Sequence, residues 1–370
     1  MNKKHNLRIL HIDTGHEWRG GQAQVLTLAK QLRKRNIQQW LLCPPGSPLF
    51  ERAAEEGLPL EAFNVMNDMQ PGLGRELANL ALRCNSTILH AHDSHAHAAV
   101  HRALKHLPNA AAVVSRRVDF PIKTNIFSKR KYLNPRIHYL AISSGVKDVL
   151  IQGGVPEDRV MIVPSGVDPN RFSYEVAPEK AREEFDLGAT TPLVGTIGSL
   201  VDHKDHANLV AAAPHVLEHV PDARFIIVGE GEERENLTKQ IADLGLEEKV
   251  FLPGYRTDVE TFLVGFDVFV VSSHLEGLCT SMIDAMLHRC PCVGTDTGGV
   301  PDLVKHKETG LLVPPKNPKA LGEAIVTLLE NHPFAEELAE SARERVMQNF
   351  TAASMAEKTV QAYQRVLQNF

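Results

Sequence analysis

From Pro192 onward the chain repeats one pattern, and no other feature limits its fold as much. A short run of Val, Ile, Leu and Phe is followed by a loop bearing glycine or an acid, then by residues of helical periodicity. The runs are TPLVGTIGSL, ARFIIVGEG, KVFLPGY, DVFVVSS, CPCVGTD and TGLLVPP. Apolar runs without polar alternation read as strands buried on both faces, and strand–helix alternation reads as a doubly wound parallel sheet. The first half repeats the theme with LRILHI, WLLCP, LEAF, STILHAHD, AAVVS and IHYLAIS. Helices are expected at about Ala23 to Arg35, Arg75 to Arg83, from Ser143, and at about Ala352 to Leu367. The segment RVMIVPSGVDPNRF closes this half. At 370 residues the chain is long for one core, so the fold class is α/β with two Rossmann-like domains. The expected division is 1–165, completed by 351–370 as a helix crossing back, against 166–350.

Ligands of such sheets sit beyond the carboxyl ends of the strands. Those ends include Asp13 to Gly21, His92 and Asp93, Arg116 and Arg117, Gly198 to Lys204, Tyr255 and Arg256, Glu276, and Asp296 to Gly299. That so many polar residues fall there points to ligand binding in a cleft between the domains. Within Ser272 to Pro301, the loop His274 to Leu278 carries Glu276 beside Gly277, and Met282, Ile283, Met286 and Leu287 then recur at helical spacing. The free N–H groups and positive dipole at a helix start favour an anion, phosphate above all. Asp284 lies about two turns further on, so one ligand touching both acids needs several polar ends, as a nucleotide sugar has. An ordinary strand–helix unit with a solvated acid in its loop reads equally well from these residues alone.

The net charge of −5 hides an asymmetry between a basic first half and an acidic second half. It implies that the first half meets something anionic, unless surface charge has merely drifted. SRRVDFPIKTNIFSKRKY sets Arg116, Arg117, Lys123, Lys129, Arg130 and Lys131 among Phe120, Ile122, Ile126, Phe127 and Tyr132. This basic loop suits a lipid surface or a phosphorylated acceptor; a solvated loop and helix is the plain alternative, and the acidic second half argues against nucleic acid. There is no apolar run of ~18 residues for a spanning helix, and LRIL is too short for a signal peptide. Five cysteines without framework spacing fit a reducing cytoplasm.

Two motifs invite other readings. GEGEER (Gly229 to Arg234) lacks the third glycine of a dinucleotide fingerprint and does not follow the first strand. HAHDSHAH sets His90, His92 and His95 in the register of a dinuclear zinc motif, with its acid one place early at Asp93. No second cluster completes such a site in the sequence, so no metal is expected. His92 is read as a polar group at the ligand site, and His95, His97 and His101 as a helix surface.

The chain resembles retaining glycosyltransferases of family 4, of GT-B architecture, along nearly its whole length. The likeness rests on GGQAQVLTLAKQLRKR, ILHAHD, VPSGVDPNRF, GSLVDHKDH, IIVGEGEER, VFLPGY, and SSHLEGLCTSMIDAM followed by GTDTGGVPDLV. Its most specific element is E-x7-E, here Glu276-x7-Asp284. The resemblance implies that Glu276 holds sugar hydroxyls, with Gly277 and Leu278 beside the diphosphate, and that Asp284 binds ribose hydroxyls. It implies that Lys204 neutralises the diphosphate, that Gly254, Tyr255 and Arg256 lie against the base, and that Gly20 and Gly21 form the glycine loop of the first domain. His92 matches a histidine near the transferred sugar, a candidate base. Two positions depart from the family: Ser199 replaces Arg in G-R-L, so Lys204, His203 or Arg256 carries more of the phosphate charge, and Asp284 is one methylene shorter than Glu.

The expected activity is metal-independent, cofactor-free transfer of a sugar from a UDP- or GDP-linked donor to a glycan or lipid-linked acceptor. It proceeds with retention, in lipopolysaccharide or cell-surface polysaccharide assembly, in the cytoplasm and peripherally at the inner membrane face. The alternatives are a non-catalytic nucleotide-sugar-binding relative or partner subunit, and a nucleotide-sugar epimerase.

Overall fold

A computed structural model describes residues 7–67, 70–123, 125–172 and 176–368. The chain divides into two compact units, residues 1–168 with 351–370, and 169–350.

Among the described residues the first unit holds a sheet of seven strands, all parallel: β1 (Arg8–Ile12), β2 (Gln38–Cys43), β3 (Leu60–Ala62), β4 (Ile88–Ala91), β5 (Ala111–Arg116), β6 (Ile137–Ala141) and β7 (Val160–Ile162). Their order is β3-β2-β1-β4-β5-β6-β7, so the winding reverses between β1 and β4. The expected last helix spans Ala352–Gln368 and belongs to this unit. Its Met355, Ala356, Ala362, Tyr363 and Val366 enter the core with Ile9, Leu28, Leu32, Ile88 and Val113. Gly166 fits because its α-carbon sits against the backbone at Thr351, where an added Cβ would fall 2.5 Å from a carbonyl oxygen.

The second unit holds six parallel strands: β8 (Leu193–Ile197), β9 (Arg224–Val228), β10 (Val250–Gly254), β11 (Val268–Val271), β12 (Cys292–Thr295) and β13 (Leu311–Val313). The order β10-β9-β8-β11-β12-β13 reverses between β8 and β11. Val194, Phe225, Ile227, Val268, Val270 and Val293 pack one face of the sheet against helices contributing Leu209, Val216, Leu321 and Ile325. Burial on both faces is why these strands read as unbroken apolar runs.

Sequence reading differs from the structure in two places. The basic stretch after β5 is not all loop, since Ile126–Tyr132 is helical with Asn125 capping it through Ser128 N. His97 is not on a surface: it is 1% exposed, and its ring meets Tyr132 and Tyr139 edge-on.

Candidate functional site

A reversal of winding leaves a crevice above the strand ends, because the loops on either side diverge. In the second unit this point is bordered by the loop after β8, which reaches Lys204, and the loop after β11, which carries Glu276. The two loops are tied together: His274 N donates to His203 O at 3.0 Å, and Ser272 Oγ to Lys204 O at 3.1 Å. Lys204 Nζ donates to Glu276 Oε2 at 2.5 Å, and Ser273 Oγ to the same oxygen at 3.3 Å. Glu276 is 7% exposed. A carboxylate so buried needs its ammonium and hydroxyl partners, and they hold it in one position.

The neighbouring turn supports this loop from behind. Gly299 N donates to Glu276 O at 2.8 Å. Gly298, at φ +53°, comes so close that a Cβ there would sit 1.9 Å from that carbonyl oxygen. Beyond Glu276, Gly277 and Leu278 lead to the helix Thr280–Leu287, whose first turn has no side-chain cap. Its N–H groups therefore keep their capacity for an acceptor. Ser281 Oγ anchors the helix start to Ile197 O at 2.7 Å.

The remaining donor-side residues divide by environment. Ser199 is exposed in the loop after β8. Gly254 ends β10 with φ +85°, and Tyr255 beyond it is 74% exposed, as a ring that stacks on a planar ligand would be. Arg256 pairs with both Glu184 and Asp258, which raise its pKa, so its charge is already balanced. Lys204, by contrast, is held at the crevice by Glu276.

Asp284 is not free either. It is 5% exposed and forms an ion pair with Arg171, a residue the sequence did not single out. Burial pushes its carboxyl up to about 7, with Arg171 opposing the shift.

In the first unit the reversal brings β1 and β4 together. Their registers pair His11 with His90, and His11 Nδ1 lies 2.9 Å from His92 Nε2. Arg117 Nη2 lies 3.2 Å from His92 Nδ1. A guanidinium only donates, so His92 Nδ1 accepts and His92 Nε2–H donates to His11. His90 is held by Tyr363 Oη at 2.6 Å and Ser115 Oγ at 2.8 Å. Burial keeps all three rings neutral, with His11 lowered to about 3 and His90 and His92 well below the usual value.

His11 is thus the third ligand that the sequence did not offer, and among the described residues these three form the one group able to approach a metal ion. Arg117, which depresses all three imidazoles, sets a fixed positive charge beside them and disfavours a dication. Both ring nitrogens of His92, the candidate base, are engaged and its pKa is depressed, so it acts as a base only after exchanging one of these partners for substrate. Asp93 caps the helix Ser94–Ala103 through His95 N and Ala96 N and also binds Thr14 through N and Oγ1. Gly20 and Gly21 open the helix Gly20–Lys34, with nothing within 4 Å of an added Cβ.

The basic stretch splits in two. Arg117 is turned inward to His92, and Arg116 to Tyr132 Oη and Phe120 O. Lys131 reaches Ser94 O. Lys123, Lys129 and Arg130 remain exposed, beside Phe120, Ile126 and Phe127 at 49%, 59% and 70% exposure. No helix among the described residues is long and apolar enough to cross a membrane.

Comparison with known proteins gives a consistent result. Residues 178–345 match the family model described as glycosyl transferases group 1, and residues 18–171 match that of glycosyltransferase family 4. The chain is 32% identical over 46% of its length to poly(ribitol-phosphate) alpha-N-acetylglucosaminyltransferase of Staphylococcus aureus, covering 34% of that protein. It is 28% identical over 49% of its length to the lipopolysaccharide core biosynthesis glycosyltransferase LpsE of Rhizobium meliloti, covering 52% of it. The chain therefore spans about a third and about half of the length of these two curated relatives. In structure it resembles the Anabaena protein HepE in complex with UDP, with a TM-score of 0.84 and 20% identity, over 97% of this chain and 100% of that one. With two family models side by side across most of its length and one Rossmann-like parallel sheet in each unit, the chain belongs to the group 1 glycosyltransferases.

Proposed function

We propose that the protein transfers a sugar from a nucleoside-diphosphate donor to a glycan or lipid-linked acceptor, with retention of anomeric configuration. The second unit binds the donor. The observation that carries this reading is the Lys204–Glu276 pair at the β8/β11 reversal, next to an uncapped helix start. Departure of the diphosphate builds negative charge on phosphate and positive charge on the anomeric carbon. Lys204 and the N–H groups at Gly277 and Leu278 stabilise the first, and Glu276 orients the sugar hydroxyls. Tyr255 covers the base. In this reading the ammonium and the peptide dipoles supply the counter-charge, so the reaction proceeds without a metal or cofactor.

The relatives named above act, by their names, on poly(ribitol-phosphate) and in lipopolysaccharide core biosynthesis, and HepE was solved with UDP. These names support a cell-surface acceptor and a UDP-linked donor, with GDP as the next choice. Exposed Phe120, Ile126 and Phe127 beside Lys123, Lys129 and Arg130 support acceptor capture at an anionic membrane surface, on the cytoplasmic side.

The test is calorimetry with UDP, GDP, ADP and CMP, then transfer assays with the matching sugar donors, reading the anomeric configuration of the product by NMR. Transfer with retention supports the proposal. Binding without turnover on any acceptor favours a non-catalytic relative, a reading that Arg171's hold on Asp284 would fit. Isomerised donor in the absence of acceptor means an epimerase.

A further inference from the structure

Asp284 is a buried carboxylate with one oxygen satisfied and one not. Oδ2 is bound by Arg171 Nη2, while Oδ1 is buried without a hydrogen-bond partner. Arg171 covers it from the segment that opens the second unit, and its side chain is 39% exposed against 8% for Asp284. The same segment grips the same helix one turn further along: the Phe172 ring lies 4.8 Å from that of His288, and the Arg171 guanidinium stacks on Phe172 at 4.5 Å. Residues 284 and 288 share one face of their helix, so Arg171 and Phe172 form a strap along it.

We propose that Arg171 is a built-in competitor for Asp284, displaced when the vicinal hydroxyls of a bound donor's ribose take its place. This rests on the donor-binding reading of the second unit. A carboxylate has two acceptor oxygens and Arg171 fills one, whereas a 2′,3′-diol presents two O–H donors and satisfies both. The partly exposed guanidinium loses little on release, because water solvates it and Phe172 still supports it. Donor binding and release of Arg171 from Asp284 are therefore one event, and the competition selects against ligands that lack the diol.

The experiment is calorimetry of UDP, GDP and their 2′-deoxy counterparts with the native chain, Arg171→Met and Asp284→Asn, each checked for a folded thermal transition. Arg171→Met keeps the bulk of the strap and removes the competitor. Its affinity for the ribonucleotide is expected to rise about ten-fold, the scale of one charge-assisted hydrogen bond. Its preference for ribo over deoxy is expected to widen, and Asp284→Asn to lose most of that preference. Unchanged or weaker ribonucleotide binding in folded Arg171→Met, with the preference unaltered, would overturn the competitor role and leave the donor site standing. Absence of binding by every nucleotide to the native chain would remove the donor reading and the competitor with it.

Discussion

Lys204 Nζ and Glu276 Oε2 lie 2.5 Å apart, at the ends of loops that follow the adjacent parallel strands β8 and β11. The pair sets both partners before any ligand arrives, and removing either leaves the other poorly compensated. Lys204→Met is expected to lower kcat/KM by ~10²-fold or more and also to lower Tm, because Glu276 stays buried. Glu276→Gln is expected to lose comparable rate with a smaller change in Tm. Unaltered transfer by either variant contradicts the roles assigned to them.

Gly298 holds the turn behind Glu276 at φ +53°. An Ala there meets the Glu276 carbonyl and also takes up a backbone conformation that side chains disfavour. Gly298→Ala is expected to destabilise the second unit by about 1–3 kcal/mol and to weaken nucleotide binding, since the Glu276 loop must shift. Denaturant unfolding and calorimetry on one preparation check both effects.

The neutral imidazoles of the first unit predict a pH dependence of definite sign. Burial lowers His11 to about 3 and holds His90 and His92 well below 6.5, so the unfolded chain binds more protons than the folded one below pH 6.5. Stability is full above that pH and is lost as the pH falls, His11 contributing about 1.4 kcal/mol per pH unit down to about pH 3. His11→Leu is expected to flatten the slope between pH 6 and 4, as read from unfolding free energies. An identical slope contradicts the neutral cluster.

Asp284 acts in the opposite sense. Its folded pKa is raised from 3.8 to about 7 by burial, so the folded chain binds the extra proton in that window. The associated stability is present below about pH 4 and lost as the pH rises through about 7. The native chain is therefore expected to gain on Asp284→Asn as the pH falls from 7.5 to 5. A difference that stays constant with pH would show the carboxylate ionised throughout.

How legible all this is in the sequence depends on whether a signal is local. Each strand of the second sheet stands out because burial on both faces demands an unbroken apolar run, and Glu276, Gly277 and Lys204 follow strand ends directly. The helix Ile126–Tyr132 was hidden by its basic and exposed residues, which lack a buried stripe. His11 looked like one polar residue in a core strand, and only the register of β1 against β4 sets it beside His90 and His92. His97 gave no sign of burial, because Tyr132 and Tyr139 come from other elements. Arg171 lies far along the chain from Asp284, and no spacing rule connects them.

The central claim is that the β8/β11 reversal grips a nucleoside diphosphate. A crystal structure with UDP or GDP bound tests it directly. The account predicts the diphosphate within hydrogen-bond reach of Lys204 Nζ and of the N–H groups at Gly277 and Leu278, with Glu276 facing the sugar position. A nucleotide bound anywhere else on the chain would contradict it.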